Sequence, residues 1–470
     1  MTPSANDLIF RALLALVVLA PLPLGANRPA AWSALALIAG ILLALWSIRT
    51  VIGAGTRPPR LGPLARVALP LLLVLAWGGV QASAPVPLDW RHPLWAEAAS
   101  ALPLPVVGHI SLDPARSLDG VMKLLSYGVI FGLACVLGRN RARAHAGVRA
   151  VAWAATAYAL YGLCVFFAGW ERLLWLEKTD YLGDLTATFV NRNAFGAYAG
   201  LGLLCCLAVI LSHLRRPARG GIRHHAERLV LGGLPYTLGA FVLTTALLLS
   251  HSRGALLATA CAVLVLILAL GVGRVLSWRI AGAALLMIGL GGAALSLTSG
   301  QVTLERLLDQ TELSGDRGQL LRLGGEMASD ASAGGFGIGA FAPAFRLYRD
   351  PSLPRPVIYD FAHNIYLEAV IELGLPAALL LGLSLTMVLT SCALGLRRRR
   401  RDQIYPALAL AAASLLLVHG LVDFSISMPA IAATLALLLG LGFAQSRSTR
   451  PAAPADTDEA RDSEAAHGVG

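Results

Sequence analysis

Residues 229–250 read LVLGGLPYTLGAFVLTTALLLS, and after the four residues His251-Ser252-Arg253-Gly254 the chain resumes with ALLATACAVLVLILALGV over 255–272. Two apolar runs are thus parted by a turn, and Arg253 is the charge between them. A helix rises about 1.5 Å per residue and the hydrocarbon of a bilayer is about 30 Å thick, so about 20 apolar residues cross it. The stretch reads as two antiparallel membrane helices. Insertion scales charge about 2.5–3.5 kcal/mol for Arg at the bilayer centre, which puts Arg253 at the edge.

The pattern continues outward in both directions. Runs near 8–26, 29–48, 67–84, 120–138, 150–168, 194–213, 280–299, 364–394, 405–424 and 428–445 join the two already quoted. The 470 residues are 56% hydrophobic and 14% charged, against about 25% charged in soluble domains. Mean hydropathy is +0.67. The first run follows Asp7, lacks a small-residue cleavage site and is succeeded at once by a second, so it is not a removable signal. The expectation is an all-α membrane protein: a polytopic bundle of about 12 transmembrane helices over 1–445 with one large outside loop. The Ala-, Pro- and acid-rich tail 446–470 reads as disordered.

A net charge of +11 would suggest nucleic acid in a soluble protein. Its distribution gives another reason. With the N-terminus inside, the inside loops 49–66, 139–149, 214–228, 273–279 and 397–403 and the tail hold most of the 38 Lys and Arg, as cytoplasmic loops do. Arg397 to Arg401 is the clearest anchor. No nucleic-acid partner is expected. Cys135, Cys164, Cys205, Cys206, Cys261 and Cys392 all fall in apolar runs without ligand spacing, so neither a disulfide nor a metal site is expected. No Walker-type phosphate loop appears, and no cofactor is expected.

Three outside loops are long. The first, 85–119, carries Trp90 and Trp95. The second, 169–193, carries Trp170, Trp175 and Tyr181, residue types that anchor at interfaces. The third, 300–363, reads as helices over 303–312 and 317–330, the latter with Leu320, Leu321, Gly324 and Met327 on one face. A flexible Gly334-Gly335-Phe336-Gly337-Ile338-Gly339 stretch and a segment leading to His363 follow. A loop of about 60 residues outside a membrane protein usually carries function.

Four places at the outer mouth carry ionisable groups, three of them at helix starts. Asn191-Arg192-Asn193 precedes the sixth run, where free N–H groups, the positive dipole end and a forked guanidinium suit an anion. Asn capping with an interfacial Arg is the plainer alternative. Ser252-Arg253 offers a second phosphate-binding cation, or an Arg that merely snorkels. His363-Asn364 opens the tenth run, where a helix N-terminus disfavours the imidazolium and leaves a general base; an interfacial cap is again the alternative. Glu368 and Glu372, one turn apart, extend into the apolar part and need partners. His419 and Asp423, four apart near the end of the eleventh run, suit a structural pair.

Taken in order, Asn191-Arg192-Asn193 with Phe195, Ser252-Arg253-Gly254, Arg317 ahead of Gly335-Phe336-Gly337-Ile338-Gly339 and Phe341, then His363-Asn364, Tyr366-Leu367-Glu368 and Glu372-Leu373-Gly374 resemble the O-antigen ligase and polymerase superfamily. The resemblance runs from about 110 to 445. Ser111-Leu112-Asp113-Pro114 looks like its exopolysaccharide-polymerase branch. Where the family often has Pro before its Gly-rich turn, this chain has Ala333-Gly334.

The resemblance implies a bacterial inner-membrane enzyme with its site on the periplasmic face and both termini in the cytoplasm. It would pass a glycan from undecaprenyl pyrophosphate to an acceptor hydroxyl. Arg192 and Arg253 would hold the leaving pyrophosphate and His363 would assist the acceptor. Asn191, Asn193, Ser252, Asn364, Tyr366 and Glu368 would line the substrate site, and Arg317 with the Gly-rich turn would form a lid. A polymerase takes a second lipid-linked glycan as acceptor; a ligase takes lipid A-core. Implied partners are the glycan donor, its acceptor, membrane lipids, and a chain-length regulator or flippase. Two rivals share the plan: a lipid-linked sugar transporter or flippase, which would place ionisable groups near the midplane, and a shape-and-division type peptidoglycan polymerase. A purely structural scaffold fits the large outer loop least.

Overall fold

The computed structural model describes residues 4–53, 62–103, 105–214, 232–276, 279, 282, 316–331, 333–353 and 358–447. Fifteen α-helices are described. The membrane-type helices in chain order are α1 (Ala5–Leu19), α2 (Pro29–Val51), α3 (Gly62–Ala82), α5 (Pro114–Leu137), α6 (Arg141–Phe167), α7 (Arg192–Leu214), α8 (Leu234–Leu249), α9 (Arg253–Val272), α13 (Leu375–Arg398), α14 (Ile404–His419) and α15 (Pro429–Gln445). Between them lie the shorter or amphipathic α4 (Leu94–Ala101), α10 (Asp316–Asp330), α11 (Phe341–Tyr348) and α12 (Ile365–Leu373). One antiparallel hairpin, β1 (Arg172–Leu173) with β2 (Leu176–Glu177), is the sheet among the described residues.

Among the described residues, seven helices are long and apolar enough to cross a membrane: α2, α3, α5, α6, α7, α9 and α13. α8, α14 and α15 are apolar but shorter. The run expected over 364–394 is two helices. Gly374, at φ 77° and ψ 157°, ends α12 and starts α13. A side chain there would strike the carbonyl of Ala333, so the break is built around a residue with no Cβ. The expected run 280–299 apart from residue 282, the expected helix 303–312 and the tail from 448 lie outside the described residues.

The bundle has two distinct ends. At one, Arg143 pairs with Asp7 at 2.9 Å and Arg141 with Asp402 at 2.7 Å. The Gln445 amide donates to the Gly138 carbonyl at 2.7 Å. At the other end the long connections meet. Ser111 N–H donates to Gln81 O at 2.9 Å, and Leu185 N–H donates to Leu249 O at 3.0 Å.

Exposure follows this frame. α2, α3 and α8 present Leu37, Leu69, Leu72 and Phe241 outward, as lipid-facing sides do. Every residue of α15 is buried, against α5 and α14 among others. Its Gly440 and Gly442 let neighbouring helices approach closely: a Cβ at Gly440 would lie 2.7 Å from Phe131 O, and one at Gly442 3.1 Å from Tyr405 O.

A second, smaller core sits at the end where the long connections meet. Leu320, Leu323 and Met327 of α10 meet Phe341 and Phe345 of α11 and Ile371 of α12. Their 3–4 residue spacing is that of one helix face. Leu323 takes the place expected of Leu321, which is exposed. The Gly-rich stretch is held fast at this core's edge. Phe336 and Gly337 donate their N–H groups to Ile371 O at 2.9 Å and Glu372 O at 3.0 Å. From α3, the fully buried Gln81 amide donates to Gly334 O at 2.7 Å and Glu372 O at 2.8 Å and accepts from Ile338 N–H at 3.2 Å. The expected flexibility of 334–339 gives way to a buried, hydrogen-bonded joint.

Gln81→Leu would orphan the Gly334 carbonyl and the Ile338 N–H, at about 1–3 kcal/mol each, and leave Glu372 O with its Gly337 bond alone. A clear loss of melting temperature in detergent is expected, measured by intrinsic fluorescence. An unchanged melting temperature would show that the joint does not hold the two cores together.

Candidate active site

Three of the singled-out motifs act first as helix caps. Asn191 Oδ1 accepts the N–H groups of Asn193 at 2.6 Å and Ala194 at 3.2 Å, opening α7. Ser252 Oγ accepts Ala255 N–H at 3.3 Å, opening α9. Asn364 Oδ1 accepts Tyr366 and Leu367 N–H at 3.1 and 3.0 Å, opening α12. Polar side chains satisfy N–H groups that a helix start leaves over. The cations of interest are the first residues of α7 and α9.

Asn193 joins these starts. Its Oδ1 accepts the Ser252 hydroxyl at 2.7 Å, and its Nδ2 donates to Asp423 Oδ2 at 2.7 Å. Asp423 is buried and also accepts the Ser425 hydroxyl. α14 ends at His419, so Asp423 lies in the following turn and not one helical turn along from His419. The His419 ring packs where a side chain on Gly254 would come within 3.2 Å.

From Asp423 the path reaches His363. Phe424 stacks face to face on Phe361 at 4.3 Å, and the His363 ring stands edge-on to Phe424 at 4.8 Å. His363 sits at φ 55°, with Nδ1 3.1 Å from Phe361 O. A proton on Nδ1 shared with that carbonyl leaves Nε2 as an acceptor. Asn364 Nδ2 donates to Leu421 O at 3.1 Å and Tyr366 Oη to Leu417 O at 2.8 Å, which ties α12 to the end of α14.

The two α12 carboxylates hold the loops around His363. Glu368 Oε2 accepts Ala362 N–H at 2.9 Å, one residue before His363. Glu372 Oε1 accepts Phe341 N–H at 3.1 Å. Burial pushes both carboxyls above their usual range. Glu368, expected at the substrate, therefore has a backbone to hold.

Arg192 is not a free cation. Its Nη1 meets Asp184 Oδ2 at 2.8 Å, and its guanidinium lies 5.6 Å from the Tyr181 ring centre. Its Nε is buried without a hydrogen-bond partner among the described residues. The other Asp184 oxygen meets His251 Nδ1 at 2.7 Å. Asp184 and its pairing with His251 escaped the sequence reading: one lies in a loop 67 residues from the other, and no local spacing joins them. Arg253, exposed at the first turn of α9, shares this mouth through Ser252. Arg317 is the second residue of α10, and its side chain lies outside the described residues. Behind Asp184, a cavity of about 200 Å³ opens between the end of α6 and the hairpin; Glu171 and Lys178 line it and pair at 3.2 Å.

Residues 238–382 match a family described as O-antigen ligase. The match spans α8 to the first part of α13 and includes Arg253, Arg317 and His363; Arg192 precedes it. No curated protein matches the chain. The family supports a glycosyltransferase-type enzyme, and the apolar helices support a multi-pass membrane protein. The match over residues 238–382 is thus consistent with the O-antigen ligase and polymerase superfamily that the motifs resemble.

Proposed function

We propose that this chain transfers a glycan from undecaprenyl pyrophosphate to an acceptor hydroxyl at the periplasmic face of a bacterial inner membrane. The observation that carries the reading is the Asn193 bridge. It draws the starts of α7 and α9, each headed by an arginine, against the turn that supports His363.

The chemistry follows from charge. The acceptor oxygen attacks the anomeric carbon, the bond to the pyrophosphate oxygen breaks, and His363 Nε2 takes the hydroxyl proton. Negative charge grows on the leaving pyrophosphate. Arg192, Arg253 and two helix N-termini are fixed donors where it grows, which favours the transition state. The activated donor supplies the driving force, so no nucleotide is consumed. Ser111 to Pro114 favours the polymerase form, with a second lipid-linked glycan as acceptor. The ligase form would differ in the acceptor alone. The gathering of polar groups at one end of the bundle favours an enzyme over a transporter.

Arg192→Ala, Arg253→Ala and His363→Ala are each expected to abolish polymer in cells lacking the native gene, at normal membrane levels of protein. For His363→Ala the rate should fall by about 10²–10⁴-fold with donor binding retained. Full polymer from all three variants would overturn the reading. A reporter fused after residue 330 should read periplasmic, with both termini cytoplasmic. A cytoplasmic signal would put the site on the wrong side of its substrate.

A further inference from the structure

The mouth of the site holds a third nitrogen base that neither the motifs nor the proposed chemistry uses. His251 lies in the turn between α8 and α9, two residues before Arg253. Its side chain is 54% exposed, while that of its partner Asp184 is 12% exposed. The 2.7 Å contact engages Nδ1, which turns Nε2 away from the carboxylate. The loop carrying Asp184 is docked on this turn by the Leu185 N–H bond to Leu249 O. Lys178 Nζ fixes the same loop from behind, donating to the Asp184 carbonyl at 2.7 Å.

We propose that His251, as an imidazolium held by Asp184, is a third cationic ligand for the pyrophosphate, beside Arg192 and Arg253. This rests on the reading of those two arginines as the pyrophosphate site. One carboxylate holds two groups of the same kind: Arg192 through Oδ2 and His251 through Oδ1. Each keeps a donor unused by Asp184. For Arg192 it is the buried, unpartnered Nε; for His251 it is the Nε2–H of the protonated ring. A pyrophosphate has enough oxygens to meet both and Arg253 as well. A single Asp184 charge between two cations leaves the cluster net positive, which suits a polyanion. With the ring neutral, Nδ1 carries the one proton toward Asp184 and Nε2 presents a lone pair, which repels phosphate oxygen. Donor affinity therefore depends on the protonation of His251. The charged or titratable groups around it are Asp184 in contact, Arg192 across Asp184, Arg253 along the chain, Lys178 and Glu171 behind the loop, and Tyr181 against Arg192.

The test measures binding of farnesyl pyrophosphate to the full-length protein in detergent, at pH 5.5 and pH 8, for the wild type, His251→Gln, His251→Arg and Arg253→Ala. The probe's own titration is common to all four proteins and cancels in ratios to the wild type. At pH 5.5 His251→Gln is expected to bind about tenfold more weakly than the wild type, the scale of one charge-assisted hydrogen bond. The difference should shrink once the pH is high enough to remove the second ring proton. His251→Arg should bind well at both pH values, because its charge does not titrate; a purely structural histidine would not be rescued in this way. Equal binding by the wild type and His251→Gln at pH 5.5, with Arg253→Ala weakened, would overturn this inference alone. Undiminished binding by Arg253→Ala would overturn the pyrophosphate reading beneath it. Melting temperatures of the four proteins separate lost binding from lost folding.

Discussion

One carboxamide holds the loop-rich end of this bundle together. Asn193 accepts from Ser252 and donates to Asp423, each at 2.7 Å, so a side chain at the start of α7 fixes the start of α9 and the turn between α14 and α15. Asp423 is buried, and an uncompensated carboxylate there would be costly. The Asn193 and Ser425 bonds compensate it. Remove Asn193, and Ser252 loses a partner just as Asp423 does. The two arginines that head α7 and α9 would then lose their common frame. Asn193 acts here as a positioning residue, with no demand that it touch substrate.

The apolar frame was legible because spanning helices announce themselves by length and hydropathy alone. The positions of Arg192, Arg253 and His363 were legible because each adjoins a helix start with an Asn or Ser cap. The plainer alternative is also present at all three places: Asn191, Ser252 and Asn364 do cap their helices. Capping and ligand binding are compatible, since the cap orients the first turn whose donors face the mouth. What the sequence hid depends on tertiary pairing. The Asp184 link to Arg192 and His251 joins separate loops, and the bridge from Asn193 to Asp423 spans 230 residues. The break at Gly374 was masked because hydropathy continues across it. The Gly-rich stretch read as flexible because glycine permits both mobility and close packing; its bonds to Gln81 and α12 decide for packing.

The outer core and the α12 carboxylates give His363 its rigidity. Glu368 holds the residue before it, Glu372 holds the start of α11, and Phe424 braces the ring. In the proposed chemistry a base must meet its proton within a few tenths of an ångström, and a histidine on an unbraced loop would not. The two acids of α12 each accept a backbone N–H from a neighbouring loop.

The burial of α15 on every side has a consequence for biogenesis. It is the last described helix in the chain, yet it occupies the interior. Until residues 429–445 are in place, the faces of α5 and α14 that α15 covers lack the partner they have in the finished bundle. The small residues of α15, including Gly440 and Gly442, let those neighbours approach closely once it is there.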